Sequence, residues 1–202
     1  MIIIIDYGVG NLFSLKSSLN AIGVESEVSG DEEKIRNADK LILPGVGAFE
    51  DASKKLKESG LEDVIKEECA KGKPLLGICL GMQLLFEESH EYGVHKGLGL
   101  IPGTIKFIGD VIPKEFKIPQ IGWNGLIVKQ KSPILKDIVA GDCVYFVHSY
   151  YAQTPAKYVS ATAEYGAELT AAVRKDNIYG CQFHPEKSGT VGISILKAFC
   201  QL

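Results

Sequence analysis

One pentapeptide, Gly77-Ile78-Cys79-Leu80-Gly81, constrains this chain more than any other stretch. Before it, Lys73-Pro74-Leu75-Leu76 ends in an apolar run that reads as a short buried strand. After it, residues 82–88 are good helix formers. A cysteine is thereby set on the sharp turn between a strand and a helix, with a glycine two residues away on each side. Such an elbow strains its central residue, and the chain packs too tightly around it to admit side chains on both flanks. The helix that starts there aims free N–H groups and the positive end of its dipole at the sulfur, which favours thiolate. The expectation is a cysteine nucleophile.

The surrounding pattern gives the fold class. Ile2-Ile3-Ile4-Ile5-Asp6 reads as a buried strand, and Asn11 as the cap of a helix carrying Leu12, Leu15, Leu19 and Ile22 at helical spacing. Gly8-x-Gly10 is no dinucleotide loop, because the third glycine would fall at Phe13. Residues 24–28 and 40–43 read as strands, and 48–58 and 61–71 as helices. Strands alternating with helices predict an α/β fold with an open, mostly parallel central sheet and flanking helices. From about Gly97 the pattern becomes rich in strands and turns, at residues 104–108, 125–129, 144–151, 158–163, 169–174 and 178–183. These predict antiparallel strands added beside the parallel sheet, and residues 190–199 a closing helix. No linker or repeat interrupts the chain, so residues 1–202 read as one domain.

Composition narrows the function classes. A net charge of −3 over 202 residues gives no basic surface for nucleic acid. No apolar stretch approaches the length of a membrane span, and the isoleucine run at the start is too short for a signal peptide. The five cysteines are scattered, without Cys-x-x-Cys or a zinc-like spacing to histidine, so neither metal nor disulfide is expected. A reducing, cytoplasmic compartment follows as the expectation.

A cysteine nucleophile needs a base, and the base a group that orients it. His184-Pro185-Glu186 ends an apolar strand and supplies both. His148 is an alternative base, with no carboxylate near it in sequence; His90 and His95 read as exposed loop residues. The strand over 40–43 ends in Pro44-Gly45-Val46-Gly47. Glycines in a tight loop beside a nucleophile can present N–H groups to an oxyanion, with the Leu80 N–H as the other donor. In an open parallel sheet all three strand ends lie at the ligand-binding edge.

Pro44-Gly45-Val46-Gly47, the elbow through Gln83 and His184-Pro185-Glu186 resemble the class I, triad-type glutamine amidotransferases over nearly the whole chain. Residues 6–11, 44–49, 84–89, 96–101, 121–124, 145–151 and 184–188 resemble the branch that serves histidine biosynthesis. The resemblance implies a flavodoxin-like fold and a glutaminase without cofactor. Cys79, His184 and Glu186 would be the catalytic triad, and Leu80 with Val46 or Gly47 the oxyanion hole. Gln83, Ser149 and Tyr150 would hold glutamine. Ammonia would pass to a separate (β/α)8-barrel cyclase/synthase subunit, docked in a heterodimer on a face including Asn11, Trp123, Tyr145 and Lys187. Other class I glutaminase subunits, cysteine peptidases and γ-glutamyl hydrolases use similar parts.

Overall fold

In the computed structural model, which describes residues 1–202, four consecutive isoleucines form the first strand, β1 (Ile2–Ile5), and all four are buried. A parallel strand covered on both faces requires this. The chain continues through α1 (Leu12–Ala21), β2 (Ser26–Ser29), α2 (Glu32–Asn37), β3 (Lys40–Leu43), α3 (Phe49–Glu58), α4 (Leu61–Ala70), β4 (Leu75–Ile78) and α5 (Leu80–Leu84). The second half comprises β5 (Phe86–Ser89), β6 (His95–Lys96), β7 (Ile101–Phe107), β8 (Gln120–Val128), β9 (Cys143–His148), β10 (Tyr150–Gln153), β11 (Val159–Glu164), β12 (Glu168–Lys175), β13 (Ile178–Cys181) and α6 (Gly189–Cys200).

Nine strands form the central sheet in the order β2-β1-β3-β4-β13-β12-β11-β8-β9. The first five run parallel, and the remaining four add on antiparallel. Strand order reverses between β1 and β3, so the crevice outside the carboxyl ends of the strands is the favoured ligand site. The alternation of side chains along β1 builds the two cores. Ile3 and Ile5 join Ile35, Leu56 and Ile65 under α2, α3 and α4. Ile2 and Ile4 join Leu15, Leu19, Ile195 and Phe199 under α1 and α6. No helix is long and apolar enough to cross a membrane.

Several elements depart from the sequence expectation. The helix expected through residue 88 stops at Leu84, and Phe86–Ser89 forms β5 instead. Its good helix formers are overruled because β5 pairs with both β7 and β6, burying Phe86 and Ser89. The strand expected over 144–151 is two strands. β9 pairs with β8 in the central sheet, while β10 pairs with β7 in a second, four-stranded sheet, β10-β7-β5-β6. The second-half strands are thus shared between two sheets rather than all added to the first. His95 sits in β6 with its side chain only 20% exposed, whereas His90 is exposed as expected. The sequence reading passed over α2, whose start is capped by the Asp31 carboxylate accepting from the Lys34 N–H at 2.9 Å.

Candidate active site

β4 delivers Cys79 to the carboxyl edge of the sheet with φ +55° and ψ −113°, a backbone conformation that a side chain disfavours. Its neighbours show what holds it there. A Cβ on Gly77 would meet the Gly81 carbonyl oxygen at 2.7 Å, and a Cβ on Gly81 would sit on the Leu43 carbonyl oxygen. The Cys79 N–H is anchored to the Cys181 carbonyl at 2.7 Å. Cys79 opens α5, and the Leu80 N–H has no backbone acceptor, as the first turn of a helix leaves it. The other buried thiols are unlike it. Burial and nearby Glu68 push Cys69 up to about 12, and burial raises Cys181 as well.

Beside β4, β13 ends and carries His184 to the same edge. Its Nδ1 is 2.8 Å from Glu186 Oε1, and both side chains are only 3% exposed. Burial alone would lower the imidazole pKa. Hydrogen bonds donated by the ring to Cys79 and Glu186 outweigh that and raise it to about 9. His148 is the opposite case. Burial, with a smaller repulsion from His184, lowers it to about 4 against the opposing hydrogen bond to the Tyr150 carbonyl, 2.9 Å from Nδ1. It is therefore neutral and has no carboxylate partner.

Pro44-Gly45-Val46-Gly47 follows β3 on the other side of the elbow. The Tyr7 hydroxyl donates to the Pro44 carbonyl at 2.8 Å. Burial, and then Cys79, push the Tyr7 phenol above its ordinary range. A Cβ on Gly45 would meet the Gly81 nitrogen at 2.8 Å and the Tyr7 hydroxyl at 2.9 Å, so this glycine is wedged against the elbow. Gly47 differs: it has φ +97° and open space where a Cβ would stand.

These strand ends surround a cavity of about 580 Å³, within the range of small-ligand pockets. Val46, Gly47, Cys79, Leu80 and Gln83 line it from the first half; Ser149, Tyr150, His184 and Lys187 line it from the second. Glu186 stands behind His184, outside the cavity lining. Gln83 is buried, and its Nε2 donates to the Tyr150 carbonyl at 3.1 Å and to Gln182 Oε1 at 3.0 Å. Both of its N–H groups are thus used within the protein, which leaves only Oε1 for a ligand.

Of the residues expected at a docking face, Asn11, Trp123 and Tyr145 lie outside the cavity and Lys187 at its wall. The Asn11 side chain caps α1 by accepting from Ser14 N–H. Trp123 and Tyr145 are register partners on β8 and β9, in edge-to-face contact at 6.0 Å, with Trp123 55% exposed. Lys187 is exposed and has no carboxylate partner.

Sequence reasoning missed three groups around this site. Glu91 lines the cavity and accepts from the Phe49 N–H at 2.6 Å, which caps α3. Tyr92, 88% exposed, stands beside it. Gln182 is fully buried, and its Nε2 lies 3.8 Å from the Cys79 sulfur. Only Gln182 left a readable signal, two residues before His184 and hence at the same-face period of a strand. No cluster of three or more His, Cys, Asp or Glu side chains is placed to hold a metal.

The chain belongs to the class-I glutamine amidotransferase family: the family described as "Glutamine amidotransferase class-I" matches residues 3–201. Within it, the chain is similar to proteins named "Imidazole glycerol phosphate synthase subunit HisH". That of Caldanaerobacter subterraneus subsp. tengcongensis is 50% identical over 203 residues, covering 100% of this chain and 98% of the relative. That of Streptococcus mutans serotype c is 50% identical over 202 residues, covering 100% and 99%. That of Listeria monocytogenes serotype 4b (strain CLIP80459) is 48% identical over 199 residues, covering 98% and 94%. Two solved structures share the fold at 20% identity. "Structure of PurLQS from Thermotoga maritima" has a TM-score of 0.78, covering 99% of this chain and 97% of that one. "Crystal structure of glutamine amidotransferase" has a TM-score of 0.77, covering 100% and 98%.

Proposed function

We propose that this chain is the glutaminase subunit of an imidazole glycerol phosphate synthase. It hydrolyses glutamine to glutamate and ammonia, and delivers the ammonia to a (β/α)8-barrel subunit. That partner makes imidazole glycerol phosphate and aminoimidazole carboxamide ribotide in histidine biosynthesis. The observation that carries the chemistry is the meeting of a strained elbow cysteine with a carboxylate-held imidazole on one cavity. Whole-length similarity to the HisH relatives supports the choice of synthase.

In the proposed cycle the Cys79 sulfur attacks the side-chain amide carbon of glutamine. His184 takes the thiol proton and passes it to the leaving nitrogen. The carbon–nitrogen bond breaks and ammonia departs, leaving a thioester. His184 then takes a proton from water; the new carbon–oxygen bond forms, the carbon–sulfur bond breaks, and glutamate leaves. Glu186 fixes the tautomer and orientation of His184 and stabilises it when charged. His148 is unfit as the base because burial lowers its pKa to about 4, which leaves it too weakly basic to hold the thiol proton, and no carboxylate orients it.

The oxyanion of both steps is assigned to the Leu80 N–H, which has no backbone acceptor, and to an N–H of the Val46-Gly47 turn. Glu91 is the one carboxylate lining the cavity and suits the α-ammonium of glutamine. Gln83 Oε1 suits the side-chain amide N–H, while Ser149 and Tyr150 form the facing wall. The exposed Trp123 and the half-buried Tyr145, with Asn11 and Lys187, are assigned to the synthase-docking face. A large aromatic side chain left in water, as Trp123 is, is characteristic of such surfaces.

Cys79→Ala tests the reading. The variant should release no glutamate from glutamine. With the synthase subunit and its ribotide it should still form product from an added ammonium salt, because the synthase site lies on the other chain. Glutaminase activity retained in Cys79→Ala would overturn the assignment.

A further inference from the structure

Two glutamines, Gln83 and Gln182, connect the cavity wall to the nucleophile, and their orientation can be deduced. The Tyr150 backbone carbonyl can only accept, so the group of Gln83 that faces it at 3.1 Å is its NH₂. The same NH₂ faces Gln182 at 3.0 Å, so the oxygen of Gln182 must point to it. The amide nitrogen of Gln182 is then fixed on its other side, toward the Cys79 sulfur at 3.8 Å. Gln182 is fully buried and Gln83 only 5% exposed, so water does not compete for these bonds. Gln182 N–H itself donates to the Ala171 carbonyl at 2.8 Å, which pins its backbone.

We infer that Gln182 is a further catalytic residue of this site: its side-chain amide donates to the Cys79 sulfur, with Gln83 as the positioning residue that locks the donor in place. The inference rests on Cys79 being the nucleophile. A hydrogen bond to an ionised acceptor is roughly twice as strong as one to a neutral acceptor. The donor therefore acts when the sulfur carries charge. It holds the thiolate before attack, and receives it again when the carbon–sulfur bond of the thioester breaks. Beside its interaction with His184, the sulfur also contacts the Val147 carbonyl at 4.0 Å, which is an acceptor and gives the charged sulfur no such support. The amide of Gln182 opposes that repulsion from a fixed position, and Tyr150 fixes the lock. The wall assigned to glutamine is thereby tied to the state of the nucleophile.

Alkylation by iodoacetamide reads the sulfur without any glutamine, so it remains informative even if the glutaminase reading fails. Because Cys143 is exposed, the experiment uses a Cys143→Ser background and maps the label to Cys79 by mass. In Gln182→Met, which keeps the volume and removes the donor, the midpoint of alkylation against pH should move alkaline. Its kcat for glutamine should fall about tenfold while KM stays within about twofold, the loss expected for one hydrogen bond. Gln83→Leu should shift the alkylation midpoint the same way, and Gln83→Leu/Gln182→Met should move it no further than Gln182→Met alone. Gln182→Glu preserves the acceptor for Gln83 but places a carboxylate at the sulfur. If the role of Gln182 were packing or support of Gln83, Gln182→Glu would be the milder change; here it should be the more damaging at pH 8. An unmoved alkylation profile in Gln182→Met, or additive shifts of the alkylation midpoint in the double variant, would overturn the inference.

Discussion

His184 and Glu186 are joined by a single 2.8 Å hydrogen bond in which both side chains are buried and the second carboxylate oxygen of Glu186 has no partner. The pair is therefore simple to perturb. With Cys79 it holds the imidazole pKa at about 9, against a burial effect that alone would lower it. The native state binds this proton more tightly than the unfolded chain does. The resulting stability is fully present below the unfolded pKa of about 6.5 and is lost as pH rises through about 9.

Glu186→Gln should flatten that dependence. Between about pH 6.5 and 9, wild-type stability in urea should fall more steeply than that of the variant, and the two curves should converge above pH 9. Single-turnover thioester formation should slow in Glu186→Gln and nearly stop in His184→Ala, whereas His148→Phe should retain it. Losses from His184→Ala and Glu186→Gln should not add, since the residues act as a unit. Thioester formation that survives His184→Ala and stops in His148→Phe would show that the wrong base has been assigned.

The two glycines of the 44–47 turn should respond differently to the same methyl group. At Gly45 a Cβ meets backbone nitrogen and the Tyr7 hydroxyl, so Gly45→Ala should destabilise the protein by about 1–3 kcal/mol, as overpacking does. At Gly47 there is room, and the penalty is conformational, about 1 kcal/mol for a side chain at φ +97°. Gly47→Ala should therefore lose little in melting temperature but alter kcat, because the Val46-Gly47 peptide is assigned to the oxyanion. Equal melting losses with unchanged kcat in Gly47→Ala would remove the turn from the mechanism.

What the sequence makes legible is local. Consecutive isoleucines mark β1, and Gly77-x-Cys79-x-Gly81 marks an elbow whose glycines are required by contacts with the adjacent turn and helix. His184-Pro185-Glu186 places base and orienting group within three residues. What stays hidden depends on distant pairing. Gln83 meets Gln182 across 99 positions, and Gln182 meets Cys79 across 103. No periodicity reports such contacts. The same cause explains β5: residues 86–89 have helical propensity, but the neighbouring strands arrive from residues 95 and beyond. At Ser149 the chain changes sheet between β9 and β10 with no glycine or proline to mark it, because the switch is set by pairing with β8 and β7.

The backbone of Tyr145 links the expected docking face to the triad. His184 N–H donates to the Tyr145 carbonyl at 3.0 Å, and Tyr145 N–H donates to Ser188 Oγ at 3.0 Å. Ser188 Oγ in turn donates to the His184 carbonyl at 2.6 Å. Tyr145 is thus bound by its backbone to both ends of the triad segment, and its ring stands against exposed Trp123. Lys187 lies inside that bracket without a carboxylate partner. A synthase subunit seated on Trp123 and paired with Lys187 would bear on His184 through this backbone connection. The isolated chain should show low glutaminase activity, with kcat rising strongly when the barrel subunit binds its ribotide. One oxyanion donor brought into place is worth roughly a hundredfold to a thousandfold. Trp123→Ala should weaken partner binding by about thirtyfold or more, as a buried aromatic anchor does. Lys187→Ala should keep most of the binding but blunt the rise in kcat. Calorimetric titration and a glutamate-release assay with and without ribotide separate the two effects. Full turnover by the isolated chain, unchanged by partner and ribotide, would sink the coupling, and unaltered affinity in Trp123→Ala would move the docking face elsewhere.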